Sequence, residues 1–251
     1  MIALSGTGKI FFASDFHLGL KTGSPPLDRE RKVVGWLENI APEADGIYLI
    51  GDIFDFWWEY KLVVPRGFTR FLGTVARITD SGIPVHFFTG NHDMWVSDYF
   101  TKECGVIMHT DPLTVSFNGK KFHIAHGEGL STRNNAYKIL LKIFRNKPLR
   151  VLYSALHPRI GVSIGHRWSL SSRLGKGISQ EFLGEDEEDL IRYAMLFPVD
   201  EKIDFFVFGH RHLAMTYKLR NNAEIFFLGD WIKHSSYAEW DGNNLTLKTL
   251  D

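Results

Sequence analysis

The sequence predicts an α/β sandwich built of mixed sheets. Short runs rich in Ile, Val and Phe recur along the chain, each closed by glycine or another small residue, which is the pattern of fully buried strands. Helical periodicity separates the early runs, as parallel βαβ units require, whereas tight-turn dipeptides join later ones.

In order, Ile10 to Ala13 reads as the first strand and leads into Asp15 and His17. Pro25-Pro26 introduces a helix over Asp28 to Ile40, with Val33, Val34, Trp36, Leu37 and Ile40 at helix-like spacing. Ile47 to Ile50 is a second strand, ending at Gly51-Asp52, and Thr69 to Asp80 a second helix, stopped by Ser81-Gly82. Val85 to Phe88 runs into Gly90-Asn91-His92-Asp93. A hairpin follows, Leu113 to Phe117 turning at Asn118-Gly119 into Lys121 to Ala125, and its second strand delivers His126-Gly127. Phe205 to Phe208 leads to Gly209-His210-Arg211-His212, and Ile225 to Leu228 to Gly229-Asp230. A last hairpin turns at Asp241-Gly242 between Tyr237 to Trp240 and Leu245 to Leu247.

Without an internal repeat or long linker, residues 1–251 read as a single domain, and a hydrophobic content of 44% is ample for its core. The 29 basic and 29 acidic side chains cancel, so no whole-molecule field argues for nucleic acid or membrane. Cys104 is the only cysteine, which excludes an internal disulfide and a thiolate-rich metal site. No signal-peptide pattern and no apolar run approaching ~18 residues is present, so the expectation is a cytoplasmic protein.

Residues 131–180 stand apart, with ten Lys and Arg and no Asp or Glu. Aliphatic residues such as Ile139, Leu140, Ile143 and Leu152 alternate there with Lys138, Lys142 and Arg145 at helical spacing, which predicts an insertion of basic amphipathic helices.

Strands linked by helical crossovers deliver their carboxyl ends to one edge, where open α/β folds bind ligands. Asp15, His17, Asp52, Asn91, His92, His126, His210 and His212 collect there, an oxygen and imidazole set without sulfur that suits Mn²⁺, Fe²⁺ or Zn²⁺. On an extended backbone the pairs Asp15/His17 and His210/His212 would each point to one side. A single histidine at a strand end is ordinarily a hydrogen-bonded structural residue, and Gly-Asp an ordinary turn. Five blocks in order, D-x-H, G-D, G-N-H-D, H-G and G-H-x-H, are another matter.

In these blocks the sequence resembles the calcineurin-like metallophosphoesterases. The resemblance implies a four-layer α/β sandwich of mixed sheets with an inserted helical lid. It also implies two divalent metals, most often Mn²⁺: one held by Asp15, His17, Asp52 and His212, the other by Asp52, Asn91, His126 and His210. Such a pair activates water and clamps a phosphoryl group. His92 would donate to the departing oxygen, with Asp93 either orienting it or capping its loop. Asp55 reads as a supporting or structural residue, Trp57, Trp58 and Tyr60 as core or pocket wall, and Asp230 as a hydrogen-bond partner of a ligating histidine. His86, His109, His123, His157, His166 and His234 fall outside the blocks and read as structural.

Within that superfamily, "SDFHLG", "GDIFDFWW", "HGEGL" and "GHRH" are most similar to the UDP-2,3-diacylglucosamine diphosphatases of lipid A synthesis. These imply a nucleotide-linked diacyl sugar as substrate, acyl chains held by the insertion, and peripheral contact with the cytoplasmic face of the inner membrane. Arg133, Asn134, Ser172, Arg173 and Lys176, polar or basic within the insertion, become candidate substrate contacts. His92 stands where those diphosphatases usually show Arg, and Arg133-Asn134 where they commonly show acidic residues. A histidine suits an alkoxide leaving group, which keeps a general phosphodiesterase or protein phosphatase open as the alternative. A nuclease drawing on the basic segment is a further reading; no nucleic acid is expected, because aliphatic residues interrupt the charges.

Overall fold

The computed structural model describes residues 8–22, 24–130, 135–144, 146–176 and 181–250. Its strands are β1 (Lys9–Ala13), β2 (Ala44–Ile50), β3 (Val85–Phe88), β4 (Ile107–His109), β5 (Leu113–Phe117), β6 (Lys120–Ala125), β7 (Phe205–Phe208), β8 (Ala214–Lys218), β9 (Glu224–Leu228), β10 (Ser236–Trp240) and β11 (Leu245–Thr249). The helices are α1 (Pro26–Ile40), α2 (Thr69–Asp80), α3 (Tyr99–Cys104), α4 (Asn135–Phe144), α5 (Lys147–Ser154), α6 (Pro158–Lys176) and α7 (Asp189–Met195).

One sheet has the order β11-β10-β1-β2-β3-β4, the other β5-β6-β7-β9-β8. Parallel pairing joins β1 to β2, β2 to β3 and β3 to β4 in the first, and β6 to β7 and β7 to β9 in the second. Antiparallel strands flank both parallel centres, so both sheets are mixed, as the sequence predicts.

Period-2 alternation on buried strands creates the layers. Ile10, Phe12, Tyr48, Ile50 and Phe88 face Phe122, Ile124, Val207, Phe226 and Leu228 across the gap between the sheets. On the outer face of the first sheet, Phe11, Ala13, Leu49 and Phe87 pack on Val33, Trp36, Val75 and Phe100 of α1 to α3. On the outer face of the second, Phe206, Phe208, Ile225 and Phe227 pack on Leu190, Ile191 and Ala194 of α7. Four layers result. α1 begins at Pro26, where proline's missing N–H is not needed. Asn118 (φ 46°) and Gly119 (φ 79°) both adopt the left-handed conformation that a tight hairpin turn demands.

Short elements escaped the sequence reading. β4 is a three-residue strand that places Ile107 partly in solvent, and α3 is too short to display helical periodicity. The helical segment α4 to α6 packs through Leu141, Phe144, Tyr153, Val162 and Trp168 onto Phe56, Trp58, Met94 and Trp95. Trp57 belongs to the core, while Trp58 and Tyr60 belong to this helical contact.

Two buried histidines outside the site carry a pH signature. Burial, with His109 nearby, pushes His86 down to about 4, and burial pushes His123 down to about 4. An unfolded histidine titrates near ~6.5, so between that pH and 4 the unfolded chain binds more protons and stability falls as pH falls. His86 stacks on Tyr48, with centroids 4.2 Å apart, so a ring fits its place. His86→Phe keeps a ring but loses the hydrogen bond to His109 (2.8 Å), so it should lower the urea midpoint somewhat at pH 7 and lessen its further decline towards pH 5; an unchanged decline would remove His86 from the acid sensitivity.

Candidate metal centre

The carboxyl ends of β1, β2 and β3 meet those of β6, β7 and β9 at one end of the sandwich. Asp15, His17, Asp52, His210 and His212 all have left-handed φ, at 55°, 45°, 52°, 66° and 54°. A left-handed non-glycine residue costs roughly 1–2 kcal/mol, so five together need strong external support. Backbone bonds supply it: Asp15 N–H donates to Gly51 O (3.1 Å), His17 N–H to Asp52 O (3.0 Å), Trp231 N–H to Asp15 O (3.1 Å) and Gly209 N–H to His126 O (3.0 Å). The spacing rule for an extended strand therefore does not describe Asp15/His17 or His210/His212. Their convergence is made by loops.

Asp15 Oδ1 lies 3.3 Å from His212 Nε2 and 3.6 Å from His17 Nε2, and these two nitrogens are 3.2 Å apart. Asp52, His126 and His210 form an adjoining group. Asp52 Oδ2 faces both, at 3.4 Å from His126 Nε2 and 3.9 Å from His17 Nε2. All but His210 and His212 are buried, and Asn91 is buried beside Gly90, where a methyl group would collide with Asp52.

Asp15 Oδ1, Asn91 Oδ1 and His126 Nε2 are buried and make no hydrogen bond of good geometry. Desolvated lone pairs without donors are costly, and a divalent cation is the partner that such a donor set fits. His126 Nδ1–H donates to Ile50 O (2.8 Å), which turns Nε2 inward as a ligand nitrogen. His212 Nδ1 faces Asp230 Oδ2 (3.3 Å), whose other oxygen accepts the N–H groups of Ile232 and Lys233. Asp230 thus faces His212 as expected, and it also faces His234 (3.4 Å), a residue read from the sequence as structural.

Burial would raise the Asp15 and Asp52 carboxyls, yet the imidazoles around them hold both well below the usual carboxylate range. Burial opposes charge on His212, but Asp15 and Asp230 lift it to about 10, and Asp52 likewise lifts His126. Burial and His126 push His210 down to about 3. The centre is built around ionised carboxylates.

His92 is placed from three directions. Its N–H donates to Asp52 Oδ1 (2.8 Å), its Nδ1–H to Asp55 O (2.9 Å), and Ser169 Oγ of α6 lies 3.2 Å from the same nitrogen. Nε2 is left facing Asp52 Oδ2 at 3.9 Å. Asp93 does not orient this ring; its carboxylate accepts the N–H groups of Gly90 (2.7 Å) and Ile53 (2.8 Å), pinning two site loops. Burial and the neighbouring Asp52 push Asp93 up to about 7. Ser169 carries no sequence signal, being one of several serines in a basic helix. Arg133 and Asn134 lie outside the described residues, and Ser172, Arg173 and Lys176 fall on the end of α6, where side chains are outside the description.

A family model for calcineurin-like phosphoesterases matches residues 8–214. The chain belongs to this family. A Porphyromonas gingivalis protein named UDP-2,3-diacylglucosamine hydrolase is 44% identical over 256 residues, covering 97% of this chain and 98% of that one. A protein of the same name from Pseudomonas fluorescens is 27% identical over 247 residues, covering 96% and 95%. The fold is shared with a dimetal phosphatase from Danio rerio, with a TM-score of 0.50, 13% identity and 97% and 96% coverage. Calcineurin-like phosphoesterases use divalent metals, and the His/Asp clusters here are of the corresponding kind.

Gly90 tests how tightly the centre is built. In Gly90→Ala the new methyl would collide first with the Asp52 side chain and backbone. Metal content by elemental analysis should drop sharply while the far-ultraviolet circular dichroism stays native; full metal content would show that this close approach does not matter.

Proposed function

We propose that this calcineurin-like phosphoesterase hydrolyses the diphosphate of UDP-2,3-diacylglucosamine, giving UMP and 2,3-diacylglucosamine 1-phosphate for lipid A synthesis. The observation that carries the reading is on α6. Trp168 lines an apolar cavity of about 270 Å³ with Phe56, Trp58, Trp95, Phe144 and Tyr153, while the next residue, Ser169, touches His92. One helix turn joins a lipid-compatible chamber to the chemical centre, and the P. gingivalis relative carries the matching name.

Asp15, His17, Asp52 and His212 would hold one ion, and Asp52, Asn91, His126 and His210 the other, with Mn²⁺ preferred and Fe²⁺ or Zn²⁺ accepted by the same donors. When bound, the pair supplies Lewis acidity that activates water and offsets charge on phosphoryl oxygens. Water oxygen bonds to the nucleotide phosphorus and the bond from that phosphorus to the bridging oxygen breaks. The bridging oxygen leaves with the sugar phosphate, and the water's protons pass to solvent. His92 in its imidazolium form, its Nδ1–H held by Asp55 O beside Ser169, would donate its Nε2 proton to the departing oxygen and regain one from solvent. The Asn91 amide and His92 ring would bind the phosphates, and Arg133, Asn134, Ser172, Arg173 and Lys176 remain candidates for the lipid side.

The same helices suit a membrane surface. Val151 and Leu152 of α5 are 72% and 68% exposed, on a segment that also carries Lys147, Arg150 and Arg159. Each basic residue near an anionic leaflet contributes ~1 kcal/mol, enough together for reversible docking on the cytoplasmic face of the inner membrane. Among the described residues no helix is long and apolar enough to cross a membrane. Exposed aliphatic side chains between the charges fit lipid better than a nucleic-acid phosphate track. The second reading, a general phosphodiesterase, draws on His92.

Purified protein with Mn²⁺ should release UMP from UDP-2,3-diacylglucosamine far faster than it cleaves bis(4-nitrophenyl) phosphate. Cleavage of the simple diester alone would favour the second reading. His92→Ala should retain two metals and lose about 10²–10⁴-fold in turnover; an unchanged rate would take His92 out of the mechanism.

A further inference from the structure

Two cavities flank the donor cluster, and they differ in character. The apolar one borders the cluster on the His92 side, where the Trp168 and His92 rings have centroids 6.3 Å apart. The other, about 180 Å³, has His126 in its lining and opens between the carboxyl ends of β3 and β6, the β4–β5 connection and α4. Asp52 Oδ2 stands between the two sides, 3.9 Å from His92 Nε2 and 3.4 Å from His126 Nε2. A diphosphate seated over Asp52 would therefore send one end of its molecule to each cavity.

We propose that the second cavity is the nucleoside subsite and takes the ribose and base of a pyrimidine nucleotide. The assignment rests on the reading of the substrate as a nucleotide-linked lipid. Polarity decides which end goes where. Thr89, Thr110, Asp111 and Glu128 bring hydroxyl and carboxylate groups to this cavity, and covering such groups with an acyl chain would cost them their hydration. The apolar chamber offers a ribose diol and a base almost nothing to bond. Two carboxylates disfavour a second phosphate here but match hydroxyl donors, the use to which nucleotide-binding folds put an acidic residue at the ribose. Thr110 Oγ1 donates to Asp111 Oδ2 (3.1 Å), fixing the carboxylate at the mouth. The choice of a pyrimidine follows from the proposed UDP-linked substrate.

Calorimetric titration of the Mn²⁺-loaded full chain with UMP needs no turnover and so tests the subsite by itself. Asp111 is exposed, so Asp111→Ala and Thr110→Val should fold, and circular dichroism checks this. Asp111→Ala should weaken UMP about tenfold, the loss of one hydrogen bond to a charged group, while inhibition by 2,3-diacylglucosamine 1-phosphate stays within twofold. UMP should bind the wild type more tightly than AMP. Unchanged UMP affinity in both variants, or equal losses for UMP and the lipid phosphate, would overturn the assignment. A wild type that binds UMP through Asp111 yet releases none from the lipid substrate would sink the proposed substrate and leave the nucleoside subsite standing.

Discussion

The structure turns on the Asp52 carboxylate, held almost out of solvent where the two sheets meet. Oδ1 is committed to the His92 N–H, which fixes the side chain's rotation, and Oδ2 is left facing His17, His92 and His126. An anion in that position has lost its hydration and regains partners only from imidazoles or cations. The surrounding loops are arranged to serve it: Gly90 leaves room, Asp93 ties the β2 and β3 loops together, and left-handed turns bring in histidines from the second sheet.

That arrangement links the fold to the helical segment. The centre itself would suit many phosphoric esters, since nothing in Asp15, His17 or Asp52 distinguishes one leaving group from another. Selection must come from what borders it. α6 reaches the His92 ring through Ser169 Oγ, which lies 3.2 Å from Nδ1 and donates to the Asp55 carboxylate (3.1 Å), while the Asp55 backbone carbonyl accepts from the same ring nitrogen (2.9 Å). Helix packing and the orientation of the His92 ring are therefore coupled, and the aromatic chamber is lined by the same helix. A histidine makes this positioning consequential, because its ring must be aimed.

Much of this was legible in the sequence, for a physical reason. A strand buried on both faces must be a continuous apolar run, so Ile10 to Ala13, Ile47 to Ile50 and Phe205 to Phe208 announce themselves, and so do the polar residues that end them. Asp15, His17, Asp52, His126, His210 and His212 could be gathered because parallel topology places such ends together. What was hidden depended on tertiary contact. Ser169 meets His92 across 77 residues of chain, and Asp93 turned to backbone N–H groups rather than to His92. The left-handed φ at Asp15 and His17 has no local signature, because a neighbouring sheet imposes it. β4 and α3 were too short for any periodicity to register.

The central claim is that Asp52 serves two ions at once. Electron paramagnetic resonance of the protein titrated with Mn²⁺ tests it directly, because ions sharing a carboxylate are magnetically coupled. Two Mn²⁺ should bind per chain and the loaded protein should give a coupled spectrum. Uptake of a single ion, or an uncoupled six-line spectrum at full loading, would contradict it.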